Sequence, residues 1–180
     1  MDDSRHALLY ARPALPGDAA AIARIYNEGI EDRIATFETR PRSPADIEGW
    51  FDGAHPVVVV EKEGQVIAFA ATSTYRPRAC YVGVAEFSVY VARSARRFGA
   101  GRLAMQALLS AAAQAGFWKL VSRVFTENAG SRALLCSLGF REVGVYERHG
   151  QLDGVWRDVV IVERLLTAQP KPGASPVTLT

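Results

Sequence analysis

The chain has 180 residues, 49% of them apolar, a formal net charge of +2 and a pI near 8.7. That length and apolar content suit one domain with a sizeable core. So mild a charge, with no long basic tract and no basic–aromatic interleaving, argues against a nucleic-acid interface, and no run approaches 18 apolar residues, so no membrane span is expected.

Met1 to His6 is charged and lacks the apolar stretch of a signal peptide. Cys80 and Cys136 make no CxxC, and His6, His55 and His149 are scattered, so no metal-ligand spacing exists. Each cysteine reads as a small buried apolar residue. The expectation is a cytoplasmic protein without metal.

Leu8 to Arg12 reads as a first strand, broken by Pro13, Pro16 and Gly17. Asp18 can cap a helix whose apolar face is Ala21, Ile22, Ile25, Tyr26 and Ile30. Asp32 to Pro44 is irregular and would lie over a cleft, with Phe37 either a core plug or a wall of a substrate pocket. Ser43 or Pro44 opens a short helix reaching Trp50. The valine run Val57 to Glu61 suits an interior strand, and Glu63-Gly64 turns it into Val66 to Ser73. Tyr75-Arg76-Pro77-Arg78 is a loop, followed by a long strand from Cys80 to Val91. Gly99 to Gly116 is a helix stopped by its last glycine. Trp118 to Phe125 is the next strand, and Asn128 or Ser131 starts a helix running to Leu138. Phe140 to Arg148 and Val155 to Arg164 form a hairpin around Gln151-Leu152-Asp153-Gly154. Residues 1–166 thus make one domain, and 167–180 reads as a flexible tail. The order β-α-α-β-β-β-α-β-α-β-β gives an α/β (α+β) fold, a mixed, mostly antiparallel sheet of six or seven strands flanked by about four helices.

One stretch organises the rest. Val89, Tyr90 and Val91 end a strand, and Arg96-Arg97-Phe98-Gly99-Ala100-Gly101-Arg102 turns it into a helix. Such a turn aims backbone N–H groups and a positive helix end at one point, where phosphate binds. Gly99 and Gly101 let the backbone approach, and Arg96, Arg97 and Arg102 add charge. The turn alone fits either a phosphate site or a capped helix on a solvated basic loop. Gly101-Arg102-Leu103 fails the P-loop pattern, which needs Gly-Lys-Ser/Thr. Gly99-x-Gly101-x-x-Ala104 fits the loose dinucleotide pattern. However, no acidic residue ends a second strand at the right distance, and too little chain follows for a doubly wound domain.

The wider window resembles one family. Arg-Arg-x-Gly-x-Gly, a helix, a strand, then Asn128-Ala129-Gly130-Ser131 and Leu138-Gly139-Phe140 are similar to the acetyl-CoA site of the GNAT superfamily of N-acetyltransferases. The resemblance runs from about Leu8 to Leu166. Tyr26-Asn27, Ala85-Glu86-x-Ser88-Val89-Tyr90-Val91 and Trp156-Arg157-Asp158-Val159 look like its phosphinothricin and methionine-sulfoximine acetyltransferase branch. The resemblance implies the acyl-CoA N-acyltransferase fold, acetyl-CoA as co-substrate and a small amino acid analogue as acceptor. Phosphinothricin, methionine sulfone or sulfoximine, and arsinothricin are such acceptors, and their acetylation confers resistance. It also implies a homodimer, with Trp156 at the interface.

The residue roles follow from the same resemblance. Backbone of Ser88 to Val91 would meet the thioester and pantetheine, where main-chain N–H groups polarise the carbonyl. Asn128 would hold the pantetheine arm, its alternative being a plain helix N-cap. Ser131 completes that motif. Glu86 would be the general base that frees the acceptor amine of its proton. Its alternative is a strand-edge glutamate in a salt bridge. Tyr75, Arg76 and Arg78, on the loop entering the catalytic strand, would bind a carboxylate and a second oxyanion, with a solvated basic loop as the alternative. Phe37, Trp156 and Asp158 would line the pocket or be structural. One position departs from the family: a tyrosine or histidine usually follows the asparagine by seven residues, and here it is Leu135.

Overall fold

The computed structural model describes residues 8–166; the expected tail, 167–180, lies outside them. Seven strands, β1 (Leu9–Pro13), β2 (Val57–Lys62), β3 (Gln65–Thr74), β4 (Val84–Val91), β5 (Lys119–Phe125), β6 (Arg141–Leu152) and β7 (Val155–Leu165), form one sheet in the order β1-β2-β3-β4-β5-β7-β6. Five of its six pairings are antiparallel, and only β4 and β5 run parallel. The helices are α1 (Ala19–Asp32), α2 (Pro44–Glu48), α3 (Ala100–Gln114) and α4 (Ala129–Ser137).

Two cores sandwich the sheet. On one face Ala104, Met105, Leu108 and Ala112 of α3 pack on Val58, Val60, Ala68, Ala70, Ala85 and Phe87. On the other Ile22, Ile25, Tyr26 and Ile30 of α1, with Ile47 of α2, pack on Val57, Val59 and Phe69. The valine run is apolar throughout because β2 is covered on both faces, so no alternation shows.

Several local readings shift. The long strand begins at Val84 rather than Cys80, because Ala79–Tyr81 forms a 3-10 turn. Both cysteines are exposed rather than buried. Cys80 sits in that turn, and Cys136 follows Leu135, which faces the core, so the helix rotates it outward. Asp18 occupies the N-cap position of α1, but its side chain makes no capping bond there. It turns back to accept the Leu15 N–H at 2.7 Å and both terminal nitrogens of Arg12 at 2.7 and 2.9 Å. The second helix ends at Glu48. The last hairpin turns at Asp153-Gly154, and three residues beyond Tyr146 bulge out of β6.

Candidate active site

The parallel pairing of β4 with β5 lasts only from Val84–Lys119 to Glu86–Val121. Beyond it β4 stays on β3 as far as Val91, while β5 stays on β7 as far as Phe125. Two strands held by different neighbours diverge, and a wedge opens in the middle of the sheet. Along that wedge one edge of β4 has no strand beside it, so its backbone groups there are available to a ligand.

A cavity of about 680 Å³ occupies the wider part of the wedge. Val89, Tyr90 and Val91 line one side, and Asn128 to Ser131 with Leu134 line the other. Arg96, Arg97 and Gly99 to Arg102 close the outer end, and Gly29, Asp32, Ile34 and Ala35 roof it. The roof is pinned at three points. Asn27 exchanges two hydrogen bonds with the Arg42 backbone, at 2.9 and 2.8 Å. Asn128 Nδ2 donates to the Ile34 carbonyl at 3.1 Å. The Phe37 ring meets Phe125 edge-on at 4.8 Å and lies where a side chain at Gly150 would have to go. Asn128 is also the N-cap of α4, its Oδ1 accepting the Ser131 N–H at 3.2 Å.

The outer end has the chemistry of an anion site. Gly99 adopts φ +86° and caps α3, whose first-turn N–H groups lack acceptors within the helix. A Cβ on Gly101 would stand 3.2 Å from Val91 Cγ2 and 3.3 Å from Leu134 Cδ2, so glycine keeps the floor of the wedge open. The three arginines differ. Arg96 is held by Asp32 at 2.5 Å, and Asp32 also takes Arg93 at 2.8 Å. Burial works against charge on Asp32, but hydrogen bonds from Arg96 and Arg93 outweigh it and keep the carboxyl below its ordinary range. Arg102 donates to Ser137 Oγ at 2.8 Å. Arg97 has no ion-pair partner among the described residues and is the arginine most available to an anion. Phe98 is 69% exposed, beside Lys62, and outside the cavity lining.

Glu86 stands at the apex, the last position at which β4 pairs β5. It is half-buried and ion-paired: Arg123 of β5 directs Nη2 and, at 3.2 Å, Nε onto its Oε1. Its Oε2 has no hydrogen-bond partner among the described residues. Glu86 does not line the large cavity. Tyr75, Arg76, Pro77, Arg78 and Tyr81 enclose a second hollow of about 430 Å³. Tyr75 and Tyr81 meet edge-on at 5.5 Å, and the Arg76 guanidinium lies 5.3 Å from the Tyr75 ring.

Phe37, Trp156 and Asp158 do not line the large cavity. Phe37 plugs a small core with Phe125, Leu152 and Val159. Asp158 Oδ1 accepts the Arg148 N–H at 2.7 Å and so fixes the β6 bulge. Trp156 is 55% exposed on the last hairpin. Leu135 is buried in the core, so its position offers no proton donor near the wedge. Sequence reasoning missed Asp32, Gly29, Leu134 and Arg123. Only the helical spacing of Gly29 and Asp32 at the end of α1 hinted at the first two.

Among the described residues no group of histidine, cysteine or acidic side chains is arranged to hold a metal ion, and no helix is long and apolar enough to cross a membrane. The family model described as the acetyltransferase (GNAT) family matches residues 22–140. The L-methionine sulfoximine/L-methionine sulfone acetyltransferase of Pseudomonas aeruginosa is 31% identical over 157 residues, 84% of this chain and 91% of that protein. The crystal structure of a phosphinothricin acetyltransferase from Sinorhizobium meliloti in complex with acetyl-CoA superposes with a TM-score of 0.84 at 30% identity, over 95% of this chain and 97% of that one. The ribosomal-protein-alanine N-acetyltransferase of Brucella melitensis gives 0.83 at 32% identity, over 87% and 99%. The wedge, the glycine turn at its mouth and this match over most of the chain agree, and the protein belongs to the acetyltransferase (GNAT) family.

Proposed function

We propose that the chain transfers acetyl from acetyl-CoA to the α-amino group of a small amino acid analogue such as phosphinothricin, methionine sulfone, methionine sulfoximine or arsinothricin, a detoxifying reaction in the cytoplasm. The observation that carries this reading is a wedge with a phosphate-type helix end at its mouth and a carboxylate at its apex. The residues fit acetyl-CoA. First-turn N–H groups of α3 with Arg97 suit phosphate, the Gly101 floor admits a close approach, and the unpaired β4 edge suits an arm bearing amides.

Acetyl-CoA, when bound, supplies the activated acetyl group. An α-ammonium has a pKa of roughly 8 or above in free solution and cannot attack while protonated. Glu86 Oε2 takes that proton, directly or through a water. Backbone N–H groups on the open edge of β4 hydrogen-bond the carbonyl oxygen as negative charge grows on it. With leucine at position 135, no side chain there returns a proton to sulfur. A free thiol has a pKa of about 8.5, so departure without an acid is feasible. Arg76 and Arg78 bind the acceptor's side-chain oxyanion.

A second reading, an acceptor that is a protein N-terminus, is favoured by the likeness to the Brucella enzyme. Thiol release from acetyl-CoA, measured with the four analogues and an alanyl peptide, decides between them. Turnover with the analogues and none with the peptide is expected. Turnover with the peptide alone would overturn the preferred acceptor, and no turnover with any of them would favour a non-catalytic acyl-CoA sensor.

A further inference from the structure

We propose that Arg123 is the receptor for the acceptor's α-carboxylate, so that the Glu86–Arg123 pair reads the zwitterionic head of an α-amino acid. The inference rests on the acetyltransferase reading above and deepens it.

An α-amino acid cannot bring its ammonium to Glu86 without bringing its carboxylate along, because one Cα joins the two. A second carboxylate beside Glu86 would be repelled unless a cation met it. Among the described residues the cation in contact with Glu86 is Arg123. It lies on the neighbouring strand, two residues beyond Val121, which pairs with Glu86. Along β5, Leu120 and Val124 face the α3 core while Phe125 faces the opposite side with Phe37. Arg123 shares the Phe125 face by the strand's alternation. The pair therefore bridges the apex of the wedge on the face that Phe37 walls.

The pair is also free to exchange. Both hydrogen bonds from Arg123 fall on one oxygen, Oε1. Oε2 is left for an incoming ammonium, and a guanidinium carries five N–H donors, so three remain for a carboxylate. The side chains are 47% exposed for Arg123 and 26% for Glu86, so solvent and small solutes reach them. Nothing else in the described residues bonds to either group. Arg76 and Arg78 line a different hollow. The positive charges therefore divide: Arg123 for the α-carboxylate, the loop arginines for the side-chain oxyanion.

The test compares methionine sulfone, methionine sulfoximine and phosphinothricin, each as free acid and as α-carboxamide, in wild type, Arg123→Ala and Arg123→Lys. Using the ratio of acid to amide within each protein cancels the different basicity of the two amines. Wild type should favour the acid. Arg123→Ala should lower the acid-to-amide ratio of kcat/KM by about tenfold or more, chiefly through KM for the acid, while the lost ion pair to Glu86 lowers turnover of both forms alike. Arg123→Lys, which keeps a charge but loses the planar fork, should fall between. Affinity for acetyl-CoA, read by calorimetry, should be the same in all three, since Arg123 lies outside the large cavity. An acid-to-amide ratio in Arg123→Ala equal to that of wild type would overturn the proposal while leaving the acetyltransferase reading intact. A wild-type chain that acetylates neither form of any of the three would overturn the amino acid acceptor, and this inference with it.

Discussion

Glu86 sits beside another charge, and its two oxygens have different surroundings. Oε1 is held by Arg123, and Oε2 has no hydrogen-bond partner among the described residues. Glu86→Gln should cut turnover at neutral pH by about 10²-fold or more, with acetyl-CoA affinity kept. The deficit should shrink at high pH, where the acceptor amine is already neutral, and a pH–rate profile superimposable on wild type would remove Glu86 as the base. Gly101 makes a second point at this scale. Any side chain there meets Val91 and Leu134, and a carboxylate would also face the anion end. Gly101→Asp should abolish acetyl-CoA binding in a calorimetric titration while circular dichroism stays native. Unchanged affinity would move the cofactor elsewhere. The glycines and Glu86 were legible in the sequence because they sit within one short motif. Arg123 and Asp32 were not, since each acts through a partner 37 or 64 positions away, on another element. No local pattern marks an isolated arginine in a strand as the partner of a glutamate on the next strand.

Among the elements, the strand-and-helix order was readable and the ends were less so. Tyr81 and Val82 favour strand by type and suggest an earlier start for β4, yet the chain turns there before Gly83, against which the Trp118 ring packs. Asp18 has the place of a cap before an apolar-periodic run, but its stronger partner is Arg12, on another element. Arg12 of β1 joins Asp18 to Glu61 of β2 and ties the start of α1 to the sheet edge. Hydrogen bonds from Arg12 are the main reason the Asp18 carboxyl is held below its usual range. Burial opposes them, and the Leu15 N–H adds to them. A depressed folded-state pKa stabilises the fold fully above the unfolded value of about 4 and ceases to do so as pH falls through the folded value. Asp18→Asn should therefore cost about 1–3 kcal/mol near neutrality. In urea melts the gap to wild type should close as pH drops below about 4. A gap independent of pH would assign the loss to packing instead.

For the whole molecule, the sheet has one outer strand that is long and poorly covered. Val143, Val145 and Tyr146 on β6, with Val155 and Trp156 on β7, are each about half exposed. Exposed apolar edge strands are liabilities that proteins cover or pair. A second copy would cover this one about a twofold axis. Light scattering should give twice the 19.6 kDa chain mass, and Trp156→Glu should shift it toward the monomer. A monomeric wild type at working concentration would contradict the dimer. The inner edge created by the wedge has the opposite character. It lies beneath the roof loop and α4, so no neighbouring chain can reach it, but water can. Every second amide of β4 beyond Glu86 points away from β3 and toward that gap. Strand amides near the middle of a sheet ordinarily exchange their hydrogens slowly. Here alternate ones should exchange fast in the free protein and slow sharply once acetyl-CoA lies alongside. The centre of the sheet would then report occupancy, residue by residue, through its deuterium uptake.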